Sequence, residues 1–139
     1  QSITASSMPP KMNASTAGSS ALSPSRQKAR ANSKAVAMFS DIISQRPAFA
    51  EAWNKRATIY YMLDQHELSM KDCDEVLKRV PKHFGALSGY AQMLAERDQP
   101  ERALELLERA YRVNPNSGNT GLMIDGLRRQ IESKRKKST

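Results

Sequence analysis

Apolar side chains recur every three or four residues along two neighbouring stretches of the chain, 50–62 and 67–80. This spacing places them on one face of an α-helix. The run 63–66 interrupts the pattern, and Pro81, which cannot continue a helix, follows the second stretch. The pattern predicts two helices joined by a turn. Their apolar stripes are Ala50, Trp53, Ala57 and Tyr60 or Tyr61, then Met70, Cys73, Val76, Leu77 and Val80.

The same alternation returns further along the chain and predicts a second pair of helices. Pro100 suits a first helical turn, where its missing N–H costs nothing. Asp98 and Glu101 are three residues apart, the spacing of a reciprocal helix cap. The run Asn114-Pro115 ends the second helix. The two stripes are Ala86, Leu87, Tyr90, Ala91 and Leu94, then Ala103, Leu104, Leu107, Ala110 and Tyr111.

The two helix pairs are copies of one unit. Pro47, Pro81 and Pro115 are 34 residues apart, and the same interval separates Asp64 from Asp98. An internal period of this length indicates a stack of small supersecondary units that bury their apolar faces against one another. Other pairs at this interval are Gln65 and Gln99, Glu67 and Glu101, Ala52 and Ala86, and Ala57 and Ala91.

The unit resembles the tetratricopeptide repeat (TPR), a 34-residue helix–turn–helix motif. Pentatricopeptide repeats run one residue longer, so the 34-residue interval favours the TPR. Three residues depart from the family pattern: Arg56 stands where Leu is usual, Ser69 where Ala is usual, and Cys73 replaces a larger core residue. The resemblance implies an all-α, short TPR-type solenoid in a right-handed superhelix. The matching residues are Trp53, Ala57, Tyr60, Ser69, Cys73, Val76 and Pro81, then Leu87, Tyr90, Ala91, Leu94, Ala103, Leu107, Ala110 and Pro115.

The flanks of the two repeats are also interpreted on this register. Ser23 and Pro24 are a helix cap and a first helical residue, and the helix that they begin matches the second helix of a repeat whose first helix is missing. Six helices are expected in all. The predicted segments are a low-complexity extended tail (1–23), a half repeat (24–46), two repeats (47–80 and 81–114), a capping helix (115–134) with the stripe Leu122, Met123, Ile124, Leu127 and Ile131, and a basic tail (135–139).

The net charge of +8 is concentrated outside the repeats. Residues 1–46 carry +5, residues 47–115 carry −1 and residues 116–139 carry +4. The basic side chains either serve solubility and favour a helix dipole, or they bind phosphate or an acidic protein in a salt-sensitive way. No aromatic residue interleaves with them, so base stacking is not indicated. The basic contact candidates are Arg26, Lys28, Arg30, Lys34, Arg128, Arg129, Lys134, Arg135, Lys136 and Lys137.

The residues that could carry chemistry are sparse. His66 and His83 lie at turns, 17 residues apart, without a neighbouring Cys or His to complete a metal site. The single cysteine, Cys73, occupies a core position, where an inert thiol is expected, and no phosphate-binding Gly-rich loop is present. We expect no catalytic residue, no metal, no cofactor, no small-molecule substrate and no membrane span. The acidic clusters Asp72-Asp74-Glu75 and Glu101-Glu105-Glu108 are interpreted as solvated helix faces, with pairs such as Glu105–Arg109.

The family resemblance also implies a binding surface. TPR proteins generally bind peptides or partner helices in a concave groove lined by the first helix of each repeat. Some of them clamp the acidic C-terminus of heat-shock chaperones, but Thr58 and Gly89 stand here where that clamp needs Asn, and Glu51 and Gly85 where it needs Lys. The clamp is therefore rejected. The groove positions carried over are Glu51, Asn54, Thr58, Tyr61, Met62, Ser88, Gln92 and Glu96.

Three functions remain open from the sequence. The first is a non-catalytic interaction scaffold or adaptor, an accessory subunit of a larger organellar assembly with other protein subunits as its partners. The alternative is a peripheral subunit of an organellar ribosome or other ribonucleoprotein, with the basic flanks on RNA. The third is a peptide receptor that uses Asn54, Tyr61, Ser88 and Gln92.

The compartment is also an expectation. No acid precedes Asp41, the first 25 residues are rich in Ser, and the chain begins with Gln1. The first 25 residues also carry only one basic residue, which makes them a poor transit peptide as they stand. We expect an organelle, a mitochondrion before a plastid, and otherwise the cytoplasm.

Overall fold

The structure is a computed structural model that describes residues 22–138. Over that range the chain is all α-helix and turn, which confirms the predicted fold class. The N-terminal tail predicted over 1–23 lies almost wholly outside the described residues, and the superhelix handedness stays a prediction. The helices are α1 (Pro24–Gln45), α2 (Ala50–Met62), α3 (His66–Arg79), α4 (Phe84–Glu96), α5 (Pro100–Val113) and α6 (Thr120–Ser138).

The chain divides into two units between residues 34 and 35, and residues 22–34 are the described part of the first. In the first, α1 starts as predicted, since the backbone N–H of Arg26 donates to Ser23 Oγ at 3.3 Å. In the second, α2 packs on α3, α4 packs on both α3 and α5, and α5 packs on α6. The core follows this stack and includes all five residues of the α4 stripe. One contiguous cluster within it consists of Ala57, Cys73, Leu87, Tyr90, Ala91, Met93, Leu94, Ala103, Leu106, Leu107, Ala110, Ile124 and Leu127.

The turn inside each repeat is a Schellman motif with aspartate at the left-handed position. Asp64 has φ 62° and Asp98 has φ 59°. The next N–H reaches back five residues in both turns, from Gln65 to the Tyr60 carbonyl and from Gln99 to the Leu94 carbonyl, each at 2.9 Å. The two aspartates that recur at the 34-residue interval are therefore the left-handed residues that follow the ends of α2 and α4.

The reciprocal cap predicted for α5 is wrong. The N-cap residue is Gln99, without a side-chain cap hydrogen bond, and Pro100 opens the helix. Asp98 closes the preceding turn, and its Oδ1 accepts a hydrogen bond from Lys134 Nζ at 2.8 Å.

The loop that leads into each repeat is tied to the second helix of the same repeat. Arg79 Nε on α3 donates to the Pro47 carbonyl at 2.7 Å, and Arg109 Nη2 on α5 donates to the Pro81 carbonyl at 3.1 Å. Trp53 Nε1 also donates to the Pro47 carbonyl, at 2.9 Å. Two of the three prolines that reveal the period in the sequence, Pro47 and Pro81, thus supply the acceptors that close each unit.

The ends of the predicted stripes differ from the structure. Val80, Tyr111, Leu122 and Met123 are exposed, with Leu122 71% exposed, because each lies at a helix end or on the outer side of α6. The helix α3 begins at His66, one residue earlier than predicted. The helix α6 runs through residues 135–138, which were predicted as a tail, since Lys and Arg favour helix and suit its C-terminal end.

Candidate functional site

A cavity of about 170 Å³ opens between the first helices of the two repeats, with α3 beneath it. We call it the α2–α4 groove. Four of the eight predicted groove residues line it, namely Asn54, Thr58, Tyr61 and Gln92. The other lining residues are Ala57, Ser69, Cys73, Gly85, Gly89 and Met93.

The cavity exists because small residues meet there. Gly85 and Gly89 lie one turn apart on α4. Gly85 is its second residue, and Gly89 lies in its interior, where glycine destabilises a helix relative to alanine. A Cβ added at Gly89 would meet no heavy atom within 4 Å. Ala57 and Ser69 form the floor, and the buried Ser69 hydroxyl donates to the Ala57 carbonyl at 2.6 Å. The Ser that departs from the family pattern therefore donates its hydroxyl hydrogen within the floor.

One end of the groove is built around Glu51 and His83. His83 caps α4, since its Nδ1 accepts from the Ala86 backbone N–H at 3.1 Å. The other ring nitrogen, Nε2, then carries the hydrogen and donates to Glu51 Oε2 at 2.9 Å. This hydrogen bond, with smaller contributions from Asn54 and Lys55, lowers the pKa of Glu51 against a modest opposing effect of burial. Sequence reasoning gave His83 no role, although its place just before α4 was a signal for a cap.

The other end is a hydrogen-bonded group that links α2 to α4. Tyr61 Oη donates to Glu96 Oε2 at 3.2 Å, and Gln92 Nε2 lies 3.3 Å from Tyr61 Oη and 3.4 Å from the same Glu96 oxygen. Burial, followed by the charge of Glu96, raises the pKa of Tyr61. The Tyr61 ring also stacks on His66, with centroids 4.9 Å apart. Three predicted residues thus converge at this end.

Two predicted groove residues lie elsewhere. Ser88 Oγ donates to the Phe84 carbonyl of its own helix at 2.9 Å, and Met62 is 56% exposed at the end of α2, outside the cavity lining. Thr58 lines the cavity, but its hydroxyl also bonds within its helix, to the Asn54 carbonyl at 3.1 Å. The eight positions therefore do not form one continuous surface.

A second depression, of about 610 Å³, lies over α2 to α5 and is built around Arg56. We call it the Arg56 depression. Arg56 holds Asp72 in a bidentate pair with two 2.8 Å contacts, and its third nitrogen donates to Ser40 Oγ at 2.9 Å. The Arg56 guanidinium also lies over the Trp53 and Tyr60 rings. The Asp72 hydrogen bond raises the pKa of Arg56.

This pair corrects the interpretation of Asp72 as a solvated residue. Its side chain is 5% exposed and is paired with the guanidinium of Arg56, which α2 supplies. The pair also accounts for Arg56 at a position where Leu is usual. The neighbouring Asp74 accepts from Tyr90 Oη at 3.3 Å, and Glu75 pairs with Lys78 and Arg79.

The predicted basic residues divide into two groups. On α1, Arg26, Lys28, Arg30 and Lys34 are all exposed. On α6, three members pair with carboxylates: Arg128 with Glu108 and Lys134 with Asp98 at 2.8 Å, and Arg135 with Glu132 at 3.8 Å. Arg129, Lys136 and Lys137 line an open surface depression on α6.

The chemistry of the remaining candidates is limited. Burial raises the pKa of the Cys73 thiol to about 12, so it is protonated at neutral pH. Within residues 22–138 no His, Cys, Asp and Glu side chains group in a way that could hold a metal ion. None of the helices in that range is long and apolar enough to cross a bilayer.

Comparison with known proteins supports the repeat assignment. No protein-family model matches the chain. The chain is 31% identical over 104 residues to a TPR repeat-containing protein of Rhizobium etli, a match that takes in 75% of this chain and 51% of that protein. The chain thus spans about half the length of this curated relative.

Solved structures show the same fold. The first TPR of Spaghetti (RPAP3), bound to the HSP90 peptide SRMEEVD, superposes with a TM-score of 0.69 at 16% identity, covering 76% of this chain and 83% of that one. The Sgt2 TPR domain from Aspergillus fumigatus gives a TM-score of 0.68 at 22% identity, covering 87% and 78%. The helix pairs, the 34-residue period and these matches make the chain a tetratricopeptide-repeat protein. Such repeats are, as a class, protein-interaction modules that are generally non-catalytic.

Proposed function

We propose that this chain is a non-catalytic scaffold that holds an extended segment of a partner protein in the α2–α4 groove. The observation that carries the proposal is the cavity above Gly89, which is flanked by hydrogen-bonding side chains from both repeats. Asn54 and Gln92 carry amides suited to an extended backbone, and the floor suits an apolar side chain. The interior Gly89 makes α4 less stable than alanine would, and a binding cavity gives a reason for that cost.

The ligand of the Spaghetti neighbour does not transfer to this groove. That neighbour is bound to an acidic HSP90 peptide. Here Glu51 and Glu96 lie at the two ends of the groove, and the positions that would need Lys for such a peptide are Glu51 and Gly85. Like charges would repel an acidic segment. We therefore expect the partner segment of this groove not to be acidic.

We further propose that the scaffold is an accessory subunit of a larger organellar assembly, in the mitochondrion. The half repeat supports contact with another subunit, because Met38 on α1 is 56% exposed and Phe49 after it is also exposed. Apolar side chains on an incomplete repeat are suited to contact with another subunit.

Co-purification with matched glycine variants tests the groove proposal. Gly89→Val fills the cavity, whereas Gly126→Val makes the same change on α6, where an added Cβ also meets no heavy atom within 4 Å. Tagged chains expressed in the native cells should retain their partners with Gly126→Val and lose the groove partner with Gly89→Val. Equal retention by both variants, with unchanged circular dichroism, would refute the proposal.

A second candidate is a peripheral subunit of an organellar ribosome or other ribonucleoprotein. It is favoured by the exposed cations Arg26, Arg30 and Lys34, which recur every four residues along α1, and by Arg129 and Lys137 on α6. Phosphate contacts would make binding fall steeply with salt. Native fractionation with and without nuclease separates the candidates: a complex that nuclease dissolves supports RNA contact, and a nuclease-resistant complex supports a protein assembly.

A further inference from the structure

We propose that the α2–α4 groove selects a partner segment in which one aliphatic side chain is flanked on both sides by Lys or Arg. This inference rests on the proposed function and adds the chemistry of the segment. It follows from three features of the groove: the size of its cavity, the carboxylates at its two ends, and the distance between them.

The size of the cavity sets the central side chain. Its volume is about 170 Å³, and its floor includes Ala57, Cys73 and Met93, all buried and apolar. An apolar cavity of about 150 Å³ holds a molecule the size of benzene. The groove therefore has room for one aliphatic side chain of a docked segment.

The carboxylates at the two ends set the charge of the flanking residues. Glu51 is half exposed, its pKa is lowered, and its Oε1 lies 3.5 Å from Nδ2 of Asn54, which lines this end of the groove. Glu96 is exposed at the other end, and the two hydrogen bonds that it makes with Tyr61 and Gln92 involve the same oxygen, Oε2. A carboxylate can accept about four hydrogen bonds, so both groups retain capacity for an incoming cation.

The distance between the carboxylates sets the spacing of the flanking cations. Glu51 lies ten residues before Tyr61, the side chain that contacts Glu96. At a rise of about 1.5 Å per residue, the two ends are separated by roughly 15 Å along α2. An extended peptide advances about 3.3 Å per residue, so cations about four residues apart would reach both ends.

Three blocked, fluorescein-labelled peptides test the inference with the full chain. GKAVAKG carries a valine between two lysines four residues apart, GKAGAKG lacks the aliphatic group, and GEAVAEG reverses the charge. Fluorescence polarisation should detect binding of GKAVAKG. Binding should weaken about tenfold for GKAGAKG, because burial of the valine side chain is lost. GEAVAEG should not bind.

Variants of the chain assign the contacts. Glu51→Gln with Glu96→Gln should weaken GKAVAKG binding about tenfold, since each exposed ion pair contributes up to about fivefold. The matched control, Glu101→Gln with Glu105→Gln, removes two exposed carboxylates of α5 and should leave the affinity unchanged apart from a small salt-dependent loss.

The outcomes separate this inference from the proposed function. Binding of GEAVAEG as tight as that of GKAVAKG, an equal loss in both double variants, or no binding of any peptide at millimolar concentration would overturn the inference. The proposed function would still stand if Gly89→Val lost the native partner and Gly126→Val kept it.

Discussion

The α2–α4 groove and the Arg56 depression share helix α2 and differ in how their space is used. In the depression, Arg56 is fixed by Asp72, by Ser40 and by two aromatic rings, so its side chain is committed to the fold. In the groove, Gly85 and Gly89 leave the space above α4 without side chains. On one face of the repeat the central side chain is thus committed to internal contacts, and on the other the space is left available to a ligand.

The largest expected effect concerns the floor of the groove. Since burial raises the Cys73 pKa to about 12, iodoacetamide at pH 8 should alkylate the native thiol roughly a thousandfold more slowly than a free cysteine. Because the folded pKa exceeds the unfolded value, this group should also destabilise the fold progressively above about pH 8.5. Mass spectrometry with and without urea gives the two rates. Native alkylation at the free-thiol rate would mean that the floor is open to solvent.

Next in size is the cost of breaking the Arg56 depression. Asp72→Ala leaves Arg56 without its partner in a largely buried site and should lower the free energy of unfolding by about 3 kcal/mol. The paired change Arg56→Leu with Asp72→Leu should recover most of this loss, because it replaces both charges by apolar groups. Urea titration measures the free energy of unfolding of both variants. If Asp72→Ala lowers it by less than about 0.5 kcal/mol, the pair contributes no more than an exposed surface ion pair.

A smaller effect of opposite sign is expected in the groove. Gly89→Ala should raise the free energy of unfolding by about 0.5–1 kcal/mol, since a helix-interior glycine gains a side chain without a clash. Gly85→Ala is the control, because its Cβ would lie 3.2 Å from His83 Cε1 and disturb the cap and the Glu51 contact. If Gly89→Ala destabilises the chain as much as Gly85→Ala, the space above α4 is not open.

The smallest effect concerns pH. The folded pKa of Glu51 is lowered, so its carboxylate adds stability above its ordinary pKa, and this contribution is lost as pH falls through the lowered value. Glu51→Gln should therefore flatten the fall of the melting temperature between pH 5 and pH 3, relative to Glu105→Gln. If the melting temperatures of the two variants fall equally between pH 5 and pH 3, the Glu51–His83 contact does not contribute to stability.

The fold was largely readable from the sequence, because the period and the apolar stripes report backbone geometry directly. The bounds of α2 and the five buried residues of the α4 stripe agree with the structure. The pairing of Asp72 with Arg56 was not readable, since the two lie 16 residues apart and only the packing of α3 on α2 brings them together. The left-handed backbone of Asp98 was also missed, because the three-residue spacing between Asp98 and Glu101 is equally compatible with a reciprocal helix cap.

The site was readable only in part. The repeat register placed Asn54, Thr58, Tyr61 and Gln92 around one cavity, but it could not place the bonded hydroxyl of Ser88. The repeat register also did not reveal the cavity, which depends on the absence of side chains at Gly85 and Gly89 and on the small residues beneath them.

The ties between Arg79 and the Pro47 carbonyl, and between Arg109 and the Pro81 carbonyl, bear on how the stack comes apart. Each tie closes a repeat on itself, from its leading loop to its second helix. Repeat proteins behave as linear arrays of units coupled to their neighbours, and local opening occurs in cooperative blocks. Because the leading loop of each repeat is hydrogen-bonded to the second helix of the same repeat, we expect the cooperative block in this chain to be a whole repeat. Native-state hydrogen exchange should accordingly show the amides of α2 and α3 opening together, as one step of a two-step array.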